Sequence, residues 1–183
     1  MRRQLLLVVV AAIAAVPPAA AFAGKPALRE LSLDTYGITL RVPASWIAIP
    51  PSSVKTTKFA YAVAAPTPTS GFYSNLNLIV APVAKGETVR EWLLGSSAVQ
   101  YLAVGTLKQV TINGTPGLEY QTTKLEKSGG HPLLTLEYAF LRGARGYLFT
   151  YSATASSRAA VTPLFQASAA TIRFAAAPPP TSA

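Results

Sequence analysis

The stretch LKQVTINGTPGLEYQTTK, residues 107–124, carries the strongest local folding signal in this chain. Two extended runs, 107–112 and 116–124, flank Asn113-Gly114, and apolar or aromatic residues alternate with polar ones along the second run. Asn and Gly tolerate the positive φ angles that a two-residue hairpin turn requires. The stretch therefore predicts an antiparallel β-hairpin. We prefer this interpretation to a glycosylation sequon at residues 113–115 because the alanine-rich composition and the N-terminal segment look bacterial.

Alternating patterns on both sides of this hairpin predict further strands. They cover residues 30–33, 38–42, 59–65, 75–83, 133–141 and 147–152. In the last two strands, aromatic and leucine side chains share one face of each: Leu134, Leu136, Tyr138 and Phe140 on one strand, and Tyr147, Phe149 and Tyr151 on its partner. We interpret these cross-strand side chains as core rather than as a binding surface.

Two segments predict helices. Thr88 and Glu91 form a capping box, which favours a helix from Thr88 to Gly95, with an extension to Leu102 as the longer alternative. A second helix begins after Ser156 or Ser157, keeps its apolar residues at helical spacing, and contains Pro163. A short strand over 171–174 follows. Hairpin-linked strands with few helices indicate an α+β fold, a mainly antiparallel β-sheet flanked by helices.

The chain ends predict export and a tail. Residues 1–23 combine Arg2 and Arg3, a 12-residue apolar run shorter than the roughly 20 residues a membrane span needs, and a small-x-small site before Gly24. We expect a signal peptide cleaved near Ala23, giving a secreted or periplasmic protein. Residues 24–29 then form a linker, 30–174 a single domain, and 175–183 a disordered tail.

The composition limits how the chain can be cross-linked, anchored to a membrane and attracted to charged partners. The chain has no cysteine, so it forms no disulfide and offers no residue after the cleavage site for lipid attachment. We therefore expect a mature protein that is not a lipoprotein and has no second membrane span. The formal net charge is +9, carried by scattered Lys and Arg rather than by a dense basic run. Outside the membrane, this balance favours anionic envelope surfaces over nucleic acid.

Residues suited to catalysis or metal binding are few. His131 is the single histidine and lies in a Gly-Gly-His-Pro turn, and Asp34 is the single aspartate. The sequence lacks G-x-S-x-G and the Gly-rich phosphate loop, and seven acidic residues are too dispersed for a transition-metal site. Glu119 and Glu137 are candidates for a carboxylate pair across neighbouring strands, but we expect both to face solvent. These observations predict no enzyme activity, no catalytic or metal residues and no cofactor.

Several short motifs occur in an order that resembles the PsbP/LpqN-like superfamily. Tyr36-Gly37-Ile38, followed by Pro43-Ala44-Ser45-Trp46, resembles the opening motif of that superfamily. Further motifs follow in the same order as in that superfamily: residues 75–80, the helix at Thr88, and residues 112–120, 146–151 and 171–174. The resemblance implies an α-β-α sandwich and supplies no shared catalytic motif. Gly24 stands where lipoprotein members have a lipidated cysteine.

These observations predict a secreted, non-enzymatic accessory or binding domain of the bacterial cell envelope, with an unknown ligand site. Its expected partner is an envelope protein or an anionic envelope surface. The alternative function is a carrier that holds a lipid or other small amphiphile in a cleft between sheet and helix. Trp46, Trp92 and the eight tyrosines could line such a cleft, but we expect them to fill the core. A hydrolase built around His131 is the third alternative.

Overall fold

The computed structural model describes residues 27–50, 59–95, 106–125 and 132–175. The predicted signal peptide, the first part of the predicted linker, the helix extension to Leu102, His131, and tail residues 176–183 lie outside the described residues. Within the described ranges, the element order is β1 (Leu28–Leu33), β2 (Ile38–Pro43), β3 (Ile47–Ala48), β4 (Tyr61–Ala64), β5 (Asn75–Pro82), α1 (Val89–Gly95), β6 (Thr106–Ile112), β7 (Thr115–Leu125), β8 (Pro132–Arg142), β9 (Arg145–Thr154), α2 (Arg158–Ala169) and β10 (Arg173–Phe174).

The strands form two antiparallel sheets. The larger sheet has seven strands in the order β3-β4-β5-β9-β8-β7-β6, and the smaller has three in the order β1-β2-β10. Helix α1 packs on one face of the larger sheet, whereas α2 and the smaller sheet pack on the other. This architecture confirms the predicted α+β class with helices on both sides of a mainly antiparallel sheet.

Two local predictions are confirmed at atomic detail. Asn113 and Gly114 connect β6 to β7 with φ angles of 47° and 78°, both in the left-handed region that a tight hairpin requires. At the start of α1, the Glu91 amide donates to Thr88 Oγ1 at 3.2 Å, and the Thr88 amide donates to Glu91 Oε2 at 2.8 Å. Each side chain thus satisfies a backbone donor that the first helical turn leaves without a partner.

The main core lies between the larger sheet and the layer formed by α2 and the smaller sheet. The predicted stripe of rings on β8 and β9 is buried there, and Tyr138 meets Tyr151 edge-on at 6.1 Å between ring centroids. Phe174 of β10 meets Tyr147 at 5.0 Å and Phe140 at 5.4 Å, so a strand of only two residues closes the aromatic cluster. These side chains form core, as the alternation predicts.

A second, smaller core lies under α1 on the opposite face of the larger sheet. Trp92 and Leu93 pack on Leu118, Ala139 and Leu148, which come from three neighbouring strands. The two helices therefore stabilise different faces of one sheet through separate apolar clusters.

The predicted linker and the predicted cap of α2 differ in part from the structure. β1 begins at Leu28, so the last two residues of the predicted linker pair with β2, Leu28 opposite Pro43 and Arg29 opposite Val42. Ser157 is the N-cap residue of α2, as predicted, but its side chain makes no capping hydrogen bond. Its hydroxyl instead pairs with Thr154 Oγ1 at 2.7 Å, because a short 3₁₀ turn precedes the helix and directs the hydroxyl backwards.

Candidate functional site

The predicted catalytic candidates do not converge in the described part of the chain. Asp34 is exposed, and its carboxylate accepts a hydrogen bond from the Ser32 hydroxyl at 2.6 Å. Glu119 lies opposite Tyr138 and Glu137 lies opposite Tyr120 in the β7–β8 register. Because neighbouring positions in a strand point to opposite faces, the two carboxylates lie on opposite faces of the sheet and form no pair.

The expected solvent exposure of Glu137 is wrong. Its side chain is only 4% exposed, while Glu119 is half-buried and bonded to the Tyr138 hydroxyl. Burial, reinforced by the Glu119 carboxylate, raises the pKa of Tyr138 well above its ordinary value. Alternation shows which side chains share a face, but it does not show that both faces of the sheet are covered.

The aromatic side chains offered as a cleft lining mostly fill the cores. Trp46 packs edge-on against Phe165 in the main core, and Trp92 lies in the core under α1. Among the described tyrosines, Tyr73 is exposed and the others are buried or half-buried. Within the described ranges, no group of three or more His, Cys, Asp or Glu side chains is placed to hold a metal ion.

A groove of about 410 Å³ lies where the outer face of the smaller sheet meets the end of α2. Its lining includes Arg41 and Thr39 of β2, Arg173 of β10, Thr171 and Glu30. Alternation along β2 buries Ile38, Leu40 and Val42 in the core and leaves Thr39 and Arg41 on the outer face. Arg173 lies opposite Thr39 in the register, which brings the two arginines to the same outer surface.

Hydrogen bonds between side chains and backbone groups hold this groove in shape. The Arg41 amide donates to Thr171 Oγ1 at 2.7 Å, and Ser168 Oγ donates to the Arg41 carbonyl. One guanidinium N–H group of Arg41 donates a hydrogen bond to the Leu28 carbonyl at 2.8 Å. The guanidinium of Arg173 has no hydrogen bond or ion pair within the described ranges, so its donors face the groove and solvent.

The Asn113 turn supports the same end of the fold. Asn113 Nδ2 donates to the carbonyls of Ala170 and Ile172, at 3.0 and 2.8 Å, and thereby fixes the loop between α2 and β10. The same nitrogen would carry a glycan at a sequon, so its two hydrogen bonds favour the structural role that the hairpin interpretation implies.

A second groove, of about 430 Å³, lies beside the start of α1 and the β6–β7 edge. Val89, Val110, Leu118 and Leu141 contribute apolar surface, and Gln109 and Thr111 contribute polar surface.

Neither groove was predicted from the sequence. Taken alone, Arg41 and Arg173 each look like a solvent-facing residue of a strand. Only the pairing of β10 with β2 brings them together.

The described helices contain no segment both long and apolar enough to cross a membrane. No family model matches the chain, and no curated protein matches it.

Solved structures give clear matches. The chain is similar to the cyanobacterial PsbP protein CyanoP from Synechocystis sp. PCC 6803, with a TM-score of 0.59, 14% identity, and coverage of 85% of this chain and 97% of that one. It is similar to LpqN of Mycobacterium tuberculosis, described as involved in cell envelope biogenesis, with a TM-score of 0.60, 9% identity, and coverage of 82% and 91%. A mutant of the protein Mog1 matches with a TM-score of 0.55, 11% identity, and coverage of 81% and 96%. These matches confirm that the chain has the PsbP/LpqN-like fold.

Proposed function

We propose that this chain is an exported, non-enzymatic accessory or binding domain of the bacterial cell envelope, and that its outer groove contacts an anionic envelope component. The observation that carries the proposal is the placement of Arg41 and Arg173 on one groove wall, with the Arg173 guanidinium unpaired in the described structure. Guanidinium groups bind carboxylate and phosphate through paired donors, and the Thr39 hydroxyl adds a further polar group.

The proposed export and envelope location are supported by observations other than the arginine groove. The N-terminal segment has the features of a signal peptide, and the structurally similar LpqN is described as involved in cell envelope biogenesis. Recovery of the protein from the outside of its host's cytoplasmic membrane, with an N-terminus at Gly24, is the expected result. Recovery of full-length protein from the cytoplasm would contradict export.

Cosedimentation with vesicles tests the groove. We expect binding to vesicles of anionic phosphatidylglycerol, weak binding to neutral phosphatidylcholine, and a loss of binding in the double variant Arg41→Gln/Arg173→Gln. The matched control is Arg90→Gln/Arg145→Gln, which removes the same charge from exposed positions outside the groove. Equal losses in both variants would show that general surface charge, rather than the groove, binds the vesicles.

Glu30 provides a test in the opposite direction. It lies opposite Arg41 in the register and lines the groove, so its carboxylate offsets one of the two positive charges there. Glu30→Gln should therefore strengthen binding to the anionic vesicles. Unchanged or weaker binding would argue that the anion binds elsewhere. Turnover of any substrate that a point mutation such as His131→Ala abolished would contradict the non-enzymatic assignment.

A carrier of a small amphiphile is the second candidate function, and the groove beside α1 favours it. Its four apolar lining residues offer surface to an acyl chain, whereas the interface between the larger sheet and α2 is filled by aromatic rings. Native mass spectrometry of protein purified from its own host decides the matter. A bound lipid mass that Leu118→Asp removes would support the carrier, and a clean unliganded mass would contradict it.

A further inference from the structure

Strand β6 is the last strand at one end of the larger sheet, so one of its sides has no neighbouring strand among the described residues. It pairs with β7 in an unbroken register, from Thr106 opposite Gln121 to Ile112 opposite Thr115. Edge strands usually carry features that prevent pairing with another chain, such as proline, a bulge, a very short length or several charges. β6 has seven residues, no proline, no bulge, and Lys108 as its one charged side chain. Its free edge is therefore suited to accept another strand.

Three residues of β6 direct their backbone groups towards that free edge. Thr111 lies opposite Pro116, which has no N–H, so these two residues cannot exchange a pair of hydrogen bonds. Because bonded and non-bonded pairs alternate along antiparallel strands, Gln109 and Leu107 also belong to non-bonded pairs. The N–H and C=O groups of these three residues thus point away from β7, and no backbone group of the described loops bonds to them. Gln109 and Thr111 are exposed, so the middle of the edge is open to solvent.

A second copy of this chain is complementary to the free edge. When two β6 strands pair antiparallel about a two-fold axis at Gln109, this residue lies opposite itself, and Leu107 lies opposite Thr111 of the second copy. Every residue that directs its backbone groups outward then meets another such residue, and each pair can exchange two hydrogen bonds. An axis one residue further along, at Val110, would leave Leu107 facing the turn of the second copy. The axis at Gln109 therefore satisfies the most backbone groups.

Charge and shape are compatible with the same pairing. Lys108 lies opposite Val110 of the second copy, so no like charges face each other directly across the axis. On the α1 face of the sheet, Leu107 of the second copy lies opposite Thr111, which lines the groove of about 430 Å³ together with Leu118. Opposite side chains in antiparallel strands are about 5 Å apart, so this leucine reaches the mouth of the groove. The two copies thus bury apolar surface in addition to pairing their backbones.

We propose that the free edge of β6 binds β6 of a second copy, and that the resulting two-fold dimer joins two seven-stranded sheets into one continuous sheet. The dimer surface is separate from the arginine groove, which lies on the outer face of the smaller sheet.

Sedimentation velocity of the protein purified from its host tests the dimer. We expect a dimer whose fraction rises with protein concentration. Because the chain has a net charge of +9, added salt should strengthen the dimer by screening the repulsion between copies. A monomer at every concentration up to about 1 mM would overturn the proposal. Association that salt abolishes would be ionic, and would overturn the pairing of strands.

Two substitutions of Gln109 separate its backbone from its side chain. Gln109→Pro removes the N–H at the axis from both copies without removing a hydrogen bond to β7, and edge strands accept proline at such positions. Dimerisation should weaken about tenfold or more, because two hydrogen bonds across the axis are lost. Gln109→Ala keeps the N–H and is the matched control, so it should dimerise like the wild type. Equal dimerisation of the proline and alanine variants would overturn the proposal.

A charge-swap pair tests the position of the axis. Gln109→Lys places two lysines opposite each other across the axis, and Gln109→Glu places two glutamates there, so each variant alone should dimerise more weakly than the wild type. A one-to-one mixture of the two variants should form a heterodimer, because opposite charges then face each other. Gln109 is exposed, so both variants should keep the wild-type melting temperature. Undiminished dimers of either variant alone, or a mixture that stays monomeric, would overturn the two-fold pairing at Gln109.

Discussion

The indole ring of Trp92 packs directly on Gly146, and a β-carbon on Gly146 would overlap the ring. Only glycine fits at position 146, because the Trp92 ring of α1 occupies the space that a side chain would need. Gly146→Ala should displace Trp92 and lower the free energy of unfolding by about 1–3 kcal/mol, the usual effect of overpacking a core. Urea unfolding followed by tryptophan fluorescence measures both effects.

Gly95→Ala is the control for this prediction. Gly95 ends α1, lies outside the positive φ region, and has no neighbouring atom within 4 Å of the position that a β-carbon would take. We expect unchanged or slightly higher stability, because alanine favours the helix by up to about 1 kcal/mol. A Gly146→Ala protein as stable as the Gly95→Ala protein would contradict the packing of Trp92.

Asn113 should contribute to stability through both its backbone and its side chain. Asn113→Ala loses two hydrogen bonds to the α2–β10 loop and places alanine at a φ of 47°, so we expect a loss of about 1–3 kcal/mol. Asn113→Gly keeps the turn and loses only the hydrogen bonds, so it should be the milder change. Thermal unfolding of both proteins provides the comparison, and an Asn113→Gly protein as stable as wild type would show that the hydrogen bonds contribute nothing.

Ser168 connects α2 to both sheets. Its hydroxyl pairs with Tyr151 Oη at 3.0 Å and donates to the Arg41 carbonyl. Ser168→Ala leaves these buried partners without that contact and should lower the free energy of unfolding by about 1–3 kcal/mol. Since the Arg41 carbonyl belongs to the arginine groove, vesicle binding should weaken as well. Loss of stability with fully retained binding would show that the groove does not depend on this contact.

Alkaline conditions should unfold the protein through its buried tyrosines. Burial raises the pKa of Tyr151 far above its ordinary value near 10, although the hydrogen bond with Ser168 partly opposes the shift. The folded state thus holds the proton more tightly than the unfolded state. The contribution of each such tyrosine to the free energy of unfolding is fully present below about pH 10. Above that pH it falls by about 1.4 kcal/mol per pH unit. Denaturant titrations between pH 9 and 12 measure the slope, which Tyr151→Phe should reduce.

The sequence predicts the local elements of this fold well because their signals are local. Asn113-Gly114 specifies its turn, and Thr88 and Glu91 specify the start of α1, each within four residues. The division into two sheets was not predicted. The third strand of the smaller sheet, β10, is only two residues long and pairs with β2 more than 130 residues earlier, and no pattern within either strand encodes that contact.

The candidate sites were harder to predict for the same reason. Arg41 and Arg173 share a groove only through the pairing of β10 with β2. Glu137 alternates with core residues in its strand as a solvent-facing residue would, yet its side chain is only 4% exposed. Export remains a prediction, because it rests on residues 1–23, which lie outside the described residues.

The position of Phe174 determines when this protein can fold during synthesis. Its ring completes the cluster of Phe140, Tyr147 and Phe149, and its strand completes the smaller sheet begun by residues 28–43. A growing chain therefore lacks a closed core until Phe174 has left the ribosome. Contacts so distant in sequence also make folding slow. A nascent chain that stays unfolded until β10 emerges remains in the unfolded state that the export proposed above requires.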